Sequence, residues 1–428
     1  MQKVQINIIG AGLAGCEAAN FLANHGIKVN LYEKRPKYSS PAHHTDKFGE
    51  LVCSNSLKNK KLDNACGLLK EEIKILGSLI MEASEVSEVP SGDSLAVDRE
   101  VFASYITDKI KNNKNINVIT EDVETIPEGI TIIASGPLTS KKLLEELQKI
   151  SNEKIYGFFD ASAPLIYKDS IDQSKTFLKS RYDQDEGSYI NCPMDKNEYL
   201  KFYNELINAK KAPLHDFDVN YFEGCLPVEV IASRGEDTLR FGPLKPKGLE
   251  NEGKEFYAVV QLRQDDLAGD LYNMVGFQTN LTYPEQKRVF SLIPGLEHAK
   301  YARFGLMHRN SYIYAPKILT DRMELKSNKN ILIAGQLSGV EGYVESAASG
   351  LLCAYYLLAR LNNKPIKDLS FYSVLGALIR YITHTGINNF SPMNANFGIV
   401  YKGTKDDKKV VIDRALKAIN DFKKQFDE

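Results

Sequence analysis

Val4-Gln5-Ile6-Asn7-Ile8-Ile9-Gly10-Ala11-Gly12-Leu13-Ala14-Gly15 decides how the chain folds. The first six residues form a short apolar strand, and the glycine-rich turn leads into a helical stretch that ends near His25. A second apolar strand, Ile27 to Tyr32, closes on Glu33. Gly10 permits the tight turn, Gly12 lets backbone approach a pyrophosphate, and Gly15 lets the helix pack closely on the strand. The phosphates then sit at the helix N-terminus. Glu33 stands where an acid at the end of the second strand binds a ribose hydroxyl pair. The pattern predicts a Rossmann-like α/β fold with a parallel sheet and a bound dinucleotide. Its expected contacts are Gly10, Ala11, Gly12, Leu13, Ala14, Gly15 and Glu33.

A chain of 428 residues points to two domains. Its 43% hydrophobic and 25% charged residues are those of a globular protein. The net charge of −1 excludes a generally basic nucleic-acid coat but leaves room for a local basic groove. The chain enters its first strand directly after Met1, so no secretory leader is expected, and no run is apolar for long enough to span a bilayer. Six scattered cysteines, without CxxC pairs or histidines at metal spacing, argue against a zinc site and a disulfide framework. A soluble cytoplasmic enzyme with reduced thiols and no metal is the expectation.

The segment Lys34 to Asn64 reads as a long polar loop, Ala65 to Leu79 and Arg99 to Lys111 as helices, and Ile116 to Thr120 and Gly129 to Ala134 as strands. Between Tyr156 and Ala302 the texture changes to aromatic and β-branched runs broken by Gly and Pro, among them Phe158 to Ile166, Ser188 to Cys192, Glu229 to Ser233 and Tyr257 to Leu262. These predict a mixed α/β substrate domain, residues 156–302, inserted between two parts of the dinucleotide-binding domain, 1–155 and 303–428. The parent fold resumes with the strand Asn330 to Ala334, the turn Gly335-Gln336 and a small-residue helix from Gly342 to Leu361.

Chemistry concentrates in the loop Pro41-Ala42-His43-His44-Thr45-Asp46-Lys47-Phe48-Gly49-Glu50-Leu51-Val52-Cys53-Ser54-Asn55-Ser56-Leu57, which is far richer in donors and acceptors than a connector needs. Cys53 there has polar neighbours, whereas Cys16, Cys66 and Cys353 lie on apolar helix faces and read as core; Cys192 also reads as structural. Cys225 lies in Phe222-Glu223-Gly224-Cys225-Leu226-Pro227-Val228-Glu229-Val230, which could equally be a turn between strands.

Taken together these motifs resemble the bacterial folate- and FAD-dependent uracil-5-methyltransferases. The resemblance runs through GAGLAG, PAHHTDKFGELVCSNSL, LAVDRE from Leu95, ASGPLTS from Ala134, NCPM from Asn191 and EGCLPVEV. It continues through FGPLKPKGL from Phe241, AVVQLRQDD from Ala258, VGFQTNL from Val275, EQKRVFSLIPGLEHA, MHRNSYI, GQLSGVEGYVESAASGL from Gly335 and SPMNANFG from Ser391. It implies a two-dinucleotide-binding FAD fold, with Ser135-Gly136-Pro137 similar to the second nucleotide-contacting turn of such flavoproteins. It also implies 5,10-methylenetetrahydrofolate as carbon donor, NADPH or NADH as reductant, and an RNA whose uridine becomes 5-methyluridine. C5 of uracil is a poor nucleophile until a group adds at C6, and a thiolate is suited to add and later leave. A base must then remove the C5 proton. Cys53 is read as the nucleophile and Cys225 as the base, although sequence does not fix which is which. By the same resemblance Tyr343 covers the flavin ring, and Gly335, Gln336, His43, His44 and Asn55 contact cofactor. His308, Arg309 and Asn310 are similar to flavin, folate or substrate contacts.

Two departures stand out: Tyr283 occupies a position where the family commonly has a Trp beside the flavin, and Lys247 replaces a usual Val. They bear on the RNA target, since stacking and backbone contacts set RNA specificity. The T-loop of tRNA is the leading target and 23S ribosomal RNA the alternative; membrane and DNA partners are not expected. A non-catalytic RNA-binding flavoprotein and a small-molecule NAD(P)H oxidoreductase leave the two cysteine motifs unexplained. The larger flavin enzyme of the tRNA wobble uridine has a further C-terminal domain for which this chain lacks room. Lys245, Lys247, Arg234 and Lys408-Lys409 are the expected phosphate contacts.

Overall fold

The computed structural model describes residues 5–40, 42–183, 189–213, 221, 226–384, 390–400 and 407–427. The strand Gln5–Ile9 pairs in parallel with Lys28–Glu33 on one side and Ile130–Ile133 on the other. Ile116–Thr120 and Ile331–Ile333 complete a five-stranded all-parallel sheet. Numbered along the chain, its order is 3-2-1-4-5, so the chain reverses direction across the sheet beside Gln5–Ile9. A crevice opens at the carboxyl ends of the strands at such a point. The turns after Ile9, Ile133 and Ile333 all reach that edge. Helix Leu13–Asn24 packs on this sheet and against helix Tyr343–Leu361, whose face is nearly all buried. The α/β fold with a parallel sheet is therefore as the sequence predicts.

A six-stranded antiparallel sheet carries a second core. Its order is Phe177–Leu178, Tyr189–Met194, Ala258–Gln264, Leu271–Met274, Leu165–Tyr167 and Tyr301–Arg303. The buried apolar residues beneath it run from Ala163 to Leu296 and include none of those packed around the parallel sheet. Between the two cores lies an antiparallel pair, Ile155–Ala161 with Met307–Ile313.

Among the β-branched runs, Glu229–Ser233 lies in the helix Val228–Ser233. Pro227 starts that turn, accepting from Ile231, and the Glu229 carboxylate caps Thr279 and Asn280 at 2.8 and 2.7 Å. The predicted helix Ala65 to Leu79 breaks into Ala65–Ile75 and Leu79–Ser87. Gly77 turns left-handed there, and the buried Glu17 carboxylate accepts from the N–H groups of Leu79 and Ile80. The polar segment after Glu33 also contains one short strand, Ser56–Asn59.

Candidate functional site

The three glycines of the first turn differ in what confines them. A Cβ on Gly15 would lie 1.8 Å from the Gly10 carbonyl oxygen, and one on Gly10, at φ +102°, would lie 2.6 Å from that of Ala134. At Gly12 a Cβ meets nothing within 4 Å. Gly10 and Gly15 thus serve the packing of strand, turn and helix, whereas Gly12 faces an open cleft. With Gly10 it lines a cavity of about 60 Å³, together with Glu33, Lys34, His43, Ser135, Leu138 and Thr139.

Glu33 is buried at the floor of this cleft and accepts the Ala11 N–H at 3.0 Å. Arg35 bridges Glu33 and Glu50 at 3.0 Å each, with all three side chains almost fully buried. Burial pushes the Glu33 carboxyl up, but bonds from the Arg35 guanidinium and from the Arg35 and Ala11 N–H groups outweigh it, holding the carboxyl below the usual range. Breaking such a buried pair costs about 3–5 kcal/mol, so Arg35 ties the first turn to the polar loop. His43 contacts Ser40 Oγ through Nδ1 at 2.7 Å; burial and the charge of Arg35 push its pKa down to about 4, so it is a neutral imidazole at pH 7. The His44 N–H donates to Glu50 at 2.7 Å, and the residue is exposed and lines neither cavity.

A larger cavity, about 240 Å³, adjoins the first, Pro137 lining one and Leu138 the other. Its wall includes Cys53, Ser54, Asp160, His308, Asn310, Gln336, Glu341, Gly342 and Tyr343. The Cys53 loop is clamped from several directions. Arg99 holds the Leu51 carbonyl at 2.8 Å and is paired with Asp265 at 3.0 Å. The Tyr343 hydroxyl accepts the N–H groups of Cys53 and Ser54 at 2.7 and 3.2 Å. Arg263 donates to Ser54 Oγ and Asn55 Oδ1, both at 2.9 Å. The Cys53 thiol donates to the Ala161 carbonyl at 3.4 Å. Burial and then the neighbouring Asp160 charge push this thiol up, against Arg99 and Arg303, which pull it down.

Asn55 is corrected from cofactor contact to loop anchor. It is fully buried, its amide donates to the Val97 and Gln264 carbonyls at 3.2 and 3.0 Å, and its oxygen is taken by Arg263. Arg309 points away as well: alternation along Met307–Ile313 puts His308 and Asn310 on the cavity side and leaves Arg309 exposed. Gln336 lines the cavity and donates to Glu341 at 2.6 Å; Gly335, just before it, lines neither cavity and donates to Ser349 Oγ at 2.7 Å. Cys16, Cys192 and Cys353 are fully buried, as core cysteines should be. Tyr283 lines neither cavity and is about half exposed.

Cys225 lies outside the described residues. The flanks of its segment are described: Tyr221 bridges Phe159, next to cavity-lining Asp160, and the Val228 N–H bonds the carbonyl of cavity-lining Gln278 at 2.7 Å.

Sequence reasoning missed the acids of the cavity. Asp160 receives Asn310 Nδ2 at 3.4 Å and faces His308 Nε2 at 3.9 Å. Burial, and then the charge of Asp160, push the Glu341 carboxyl up to about 8. Among the described residues His308 Nδ1 and Asn310 Oδ1 are buried without hydrogen-bond partners, although both residues line the cavity. Buried polar atoms are nearly always paired, so these two are available to the polar groups of a ligand in the cavity. Arg99 and Asp265 lie inside recognisable motifs, but nothing in either motif announces that they meet.

The family model described as "Glucose inhibited division protein A" matches residues 5–365. Methylenetetrahydrofolate--tRNA-(uracil-5-)-methyltransferase TrmFO of Ligilactobacillus salivarius is 51% identical, with 98% of each chain covered. The chain belongs to this family. The TrmFO of Staphylococcus carnosus is 51% identical over 99% of each chain, and that of Lysinibacillus sphaericus 54% over 93% of this chain and 92% of its own. Aquifex aeolicus GidA has the same fold, with a TM-score of 0.72 at 17% identity, covering 99% of this chain and 76% of its own.

Proposed function

We propose that this chain is a folate- and FAD-dependent RNA methyltransferase that forms 5-methyluridine in the T-loop of tRNA, with carbon from 5,10-methylenetetrahydrofolate and electrons from NADPH or NADH. The observation that carries the reading is the match of 51% or more to enzymes named for that reaction, over nearly the whole of each chain. Those names specify tRNA, and the ribosomal-RNA alternative is not carried forward.

The cavities fit the cofactor. The open face of Gly12 and the helix N-terminus beyond it suit a pyrophosphate, and the larger cavity, one residue along the Pro137-Leu138 turn, suits a flavin ring. When bound, FAD supplies the carrier between folate carbon and uracil. The chain's residues do the rest: Tyr343 and Arg263 hold the Cys53 loop against the cavity, and His308 and Asn310 offer unpaired polar atoms to the ring system placed there. Cys53 adds to C6 of the uracil, and Cys225 takes the C5 proton. Two cores that share no residue support the division into 1–155 and 303–428 around an inserted 156–302. No helix among the described residues is long and apolar enough to cross a membrane, and the cytoplasm is the proposed location.

Incubation with methylenetetrahydrofolate labelled in its one-carbon unit, a nicotinamide reductant and unmodified tRNA should give labelled 5-methyluridine in the T-loop. Efficient labelling from S-adenosylmethionine without folate would overturn the reading. The RNA is held on local cations: Lys247, Arg234, Lys408 and Lys409 are exposed and Lys245 half-exposed. Phosphate contacts release counterions, so the logarithm of affinity should fall steeply and linearly with the logarithm of salt concentration. A flat line in a filter-binding titration would remove these lysines from the interface.

A further inference from the structure

Outside the two cavities, three aromatic rings form one continuous stack. Tyr301 lies on Phe304 with centroids 4.8 Å apart, and Phe304 on Tyr283 at 4.7 Å; both pairs are within 19° of parallel. Tyr301 is half-buried at the inner end, and Tyr283 is 49% exposed at the outer end. The outer ring is firmly placed, because Tyr283 opens the helix Tyr283–Phe290 with Pro284 immediately after it. Ring stacking alone would be served as well by a covered ring. What needs explaining is a large aromatic face left half in water at the end of an ordered stack.

The charges beside the stack narrow the answer. Lys287 Nζ lies 5.4 Å from the Phe304 centroid. Lys210 and Lys211 are exposed and run alongside the residues that lead into the helix: Thr282 donates to the Lys210 carbonyl at 3.1 Å, and Lys211 bridges Leu281. None of the three ammonium groups is ion-paired with a described residue. The nearby Glu285 carboxylate is held by Arg288 at 2.8 Å. Only four residues of chain separate Tyr283 from Gln278 in the wall of the larger cavity.

An exposed ring beside cations that make no ion pair among the described residues is the chemistry that receives unpaired nucleotides: the base stacks on the ring and the phosphates meet the cations. We propose that the outer face of Tyr283 receives a base of the RNA substrate close to the uridine that enters the cavity, with Lys210, Lys211 and Lys287 holding the adjoining phosphates. The inference rests on the proposed function, since it takes RNA as the substrate. It adds where an unpaired neighbour of the target sits. Because every base has a π-face, Tyr283 contributes affinity and positioning without selecting one base.

The test compares wild type with Tyr283→Ala and Tyr283→Phe, using unmodified tRNA. Flavin absorbance serves as the check on folding. Stacking of one base predicts that Tyr283→Ala raises both Kd and KM about tenfold with little change in kcat, while Tyr283→Phe keeps wild-type values because the ring, not the hydroxyl, does the binding. Wild-type Kd and KM in Tyr283→Ala would overturn the stacking site and leave the methyltransferase reading standing. A Tyr283→Phe as weak as Tyr283→Ala would also overturn it. A wild-type protein that neither binds nor methylates tRNA would remove both.

Discussion

Gly12→Val should fold normally and purify without flavin. The physical reason is the asymmetry among the three glycines of the first turn. Gly12 has φ −77°, which any residue adopts, and a Cβ there has nothing within 4 Å, so the apoprotein accommodates the added side chain. The only thing it obstructs is what enters the cleft between Gly12, Glu33 and Ser135. Gly15→Val is the contrast: its Cβ would collide with the Gly10 carbonyl, and the strand and helix could not close. Circular dichroism melts and flavin absorbance, measured on both variants, separate the two effects. Gly12→Val should match the melting temperature of wild-type apoprotein and lack the flavin band, whereas Gly15→Val should be unfolded or aggregated. Full flavin occupancy in Gly12→Val would move the pyrophosphate away from this turn.

The same turn shows why much of the fold could be read from sequence. Strand, tight turn, helix and strand follow one another within thirty residues, and their hydrophobic periods are local. Glu229–Ser233 is open in sequence because five residues of mixed apolar and β-branched character carry no period that distinguishes strand from helix; Pro227 and the caps on Thr279 and Asn280 settle it as helix. The break at Gly77-Ser78 likewise depends on Glu17, which reaches it only through tertiary packing.

The site divides along the same line. The density of functional groups around Cys53 is visible in sequence, and the structure puts Cys53 with Tyr343 at one cavity. Asn55 looked the same as its neighbours until Arg263 and Gln264, both distant in the chain, consumed its amide. Asp160 lies outside every recognisable motif, and Glu341, though inside the stretch from Gly335, has nothing there to mark it; the pairing of Ile155–Ala161 with Met307–Ile313 and the turn before Tyr343 bring both to the cavity.

Cys53→Ala should lower methylation by on the order of a thousandfold or more, the usual scale for loss of a nucleophile. RNA carrying 5-fluorouridine at the target tests the role directly, because fluorine cannot leave C5 as a proton does and the thiol adduct persists. Wild type should give a covalent protein–RNA band on a denaturing gel and Cys53→Ala none. Cys225→Ala should lose methylation yet keep the band, since the base acts after addition. Both variants should stay yellow, as neither thiol belongs to the dinucleotide turn. A band that survives Cys53→Ala and disappears in Cys225→Ala would exchange the two roles. The surroundings of Cys53 add a pH test. Burial and Asp160 hold the thiol above its ordinary range, so at pH 7 it is protonated and donates to Ala161. The reactive thiolate therefore grows as pH rises, and kcat/KM should climb through the alkaline range. Asp160→Asn removes the negative neighbour and lowers the thiol pKa, shifting that climb to lower pH. A profile unmoved by Asp160→Asn would show that the ionisation controlling the rate is not that of Cys53.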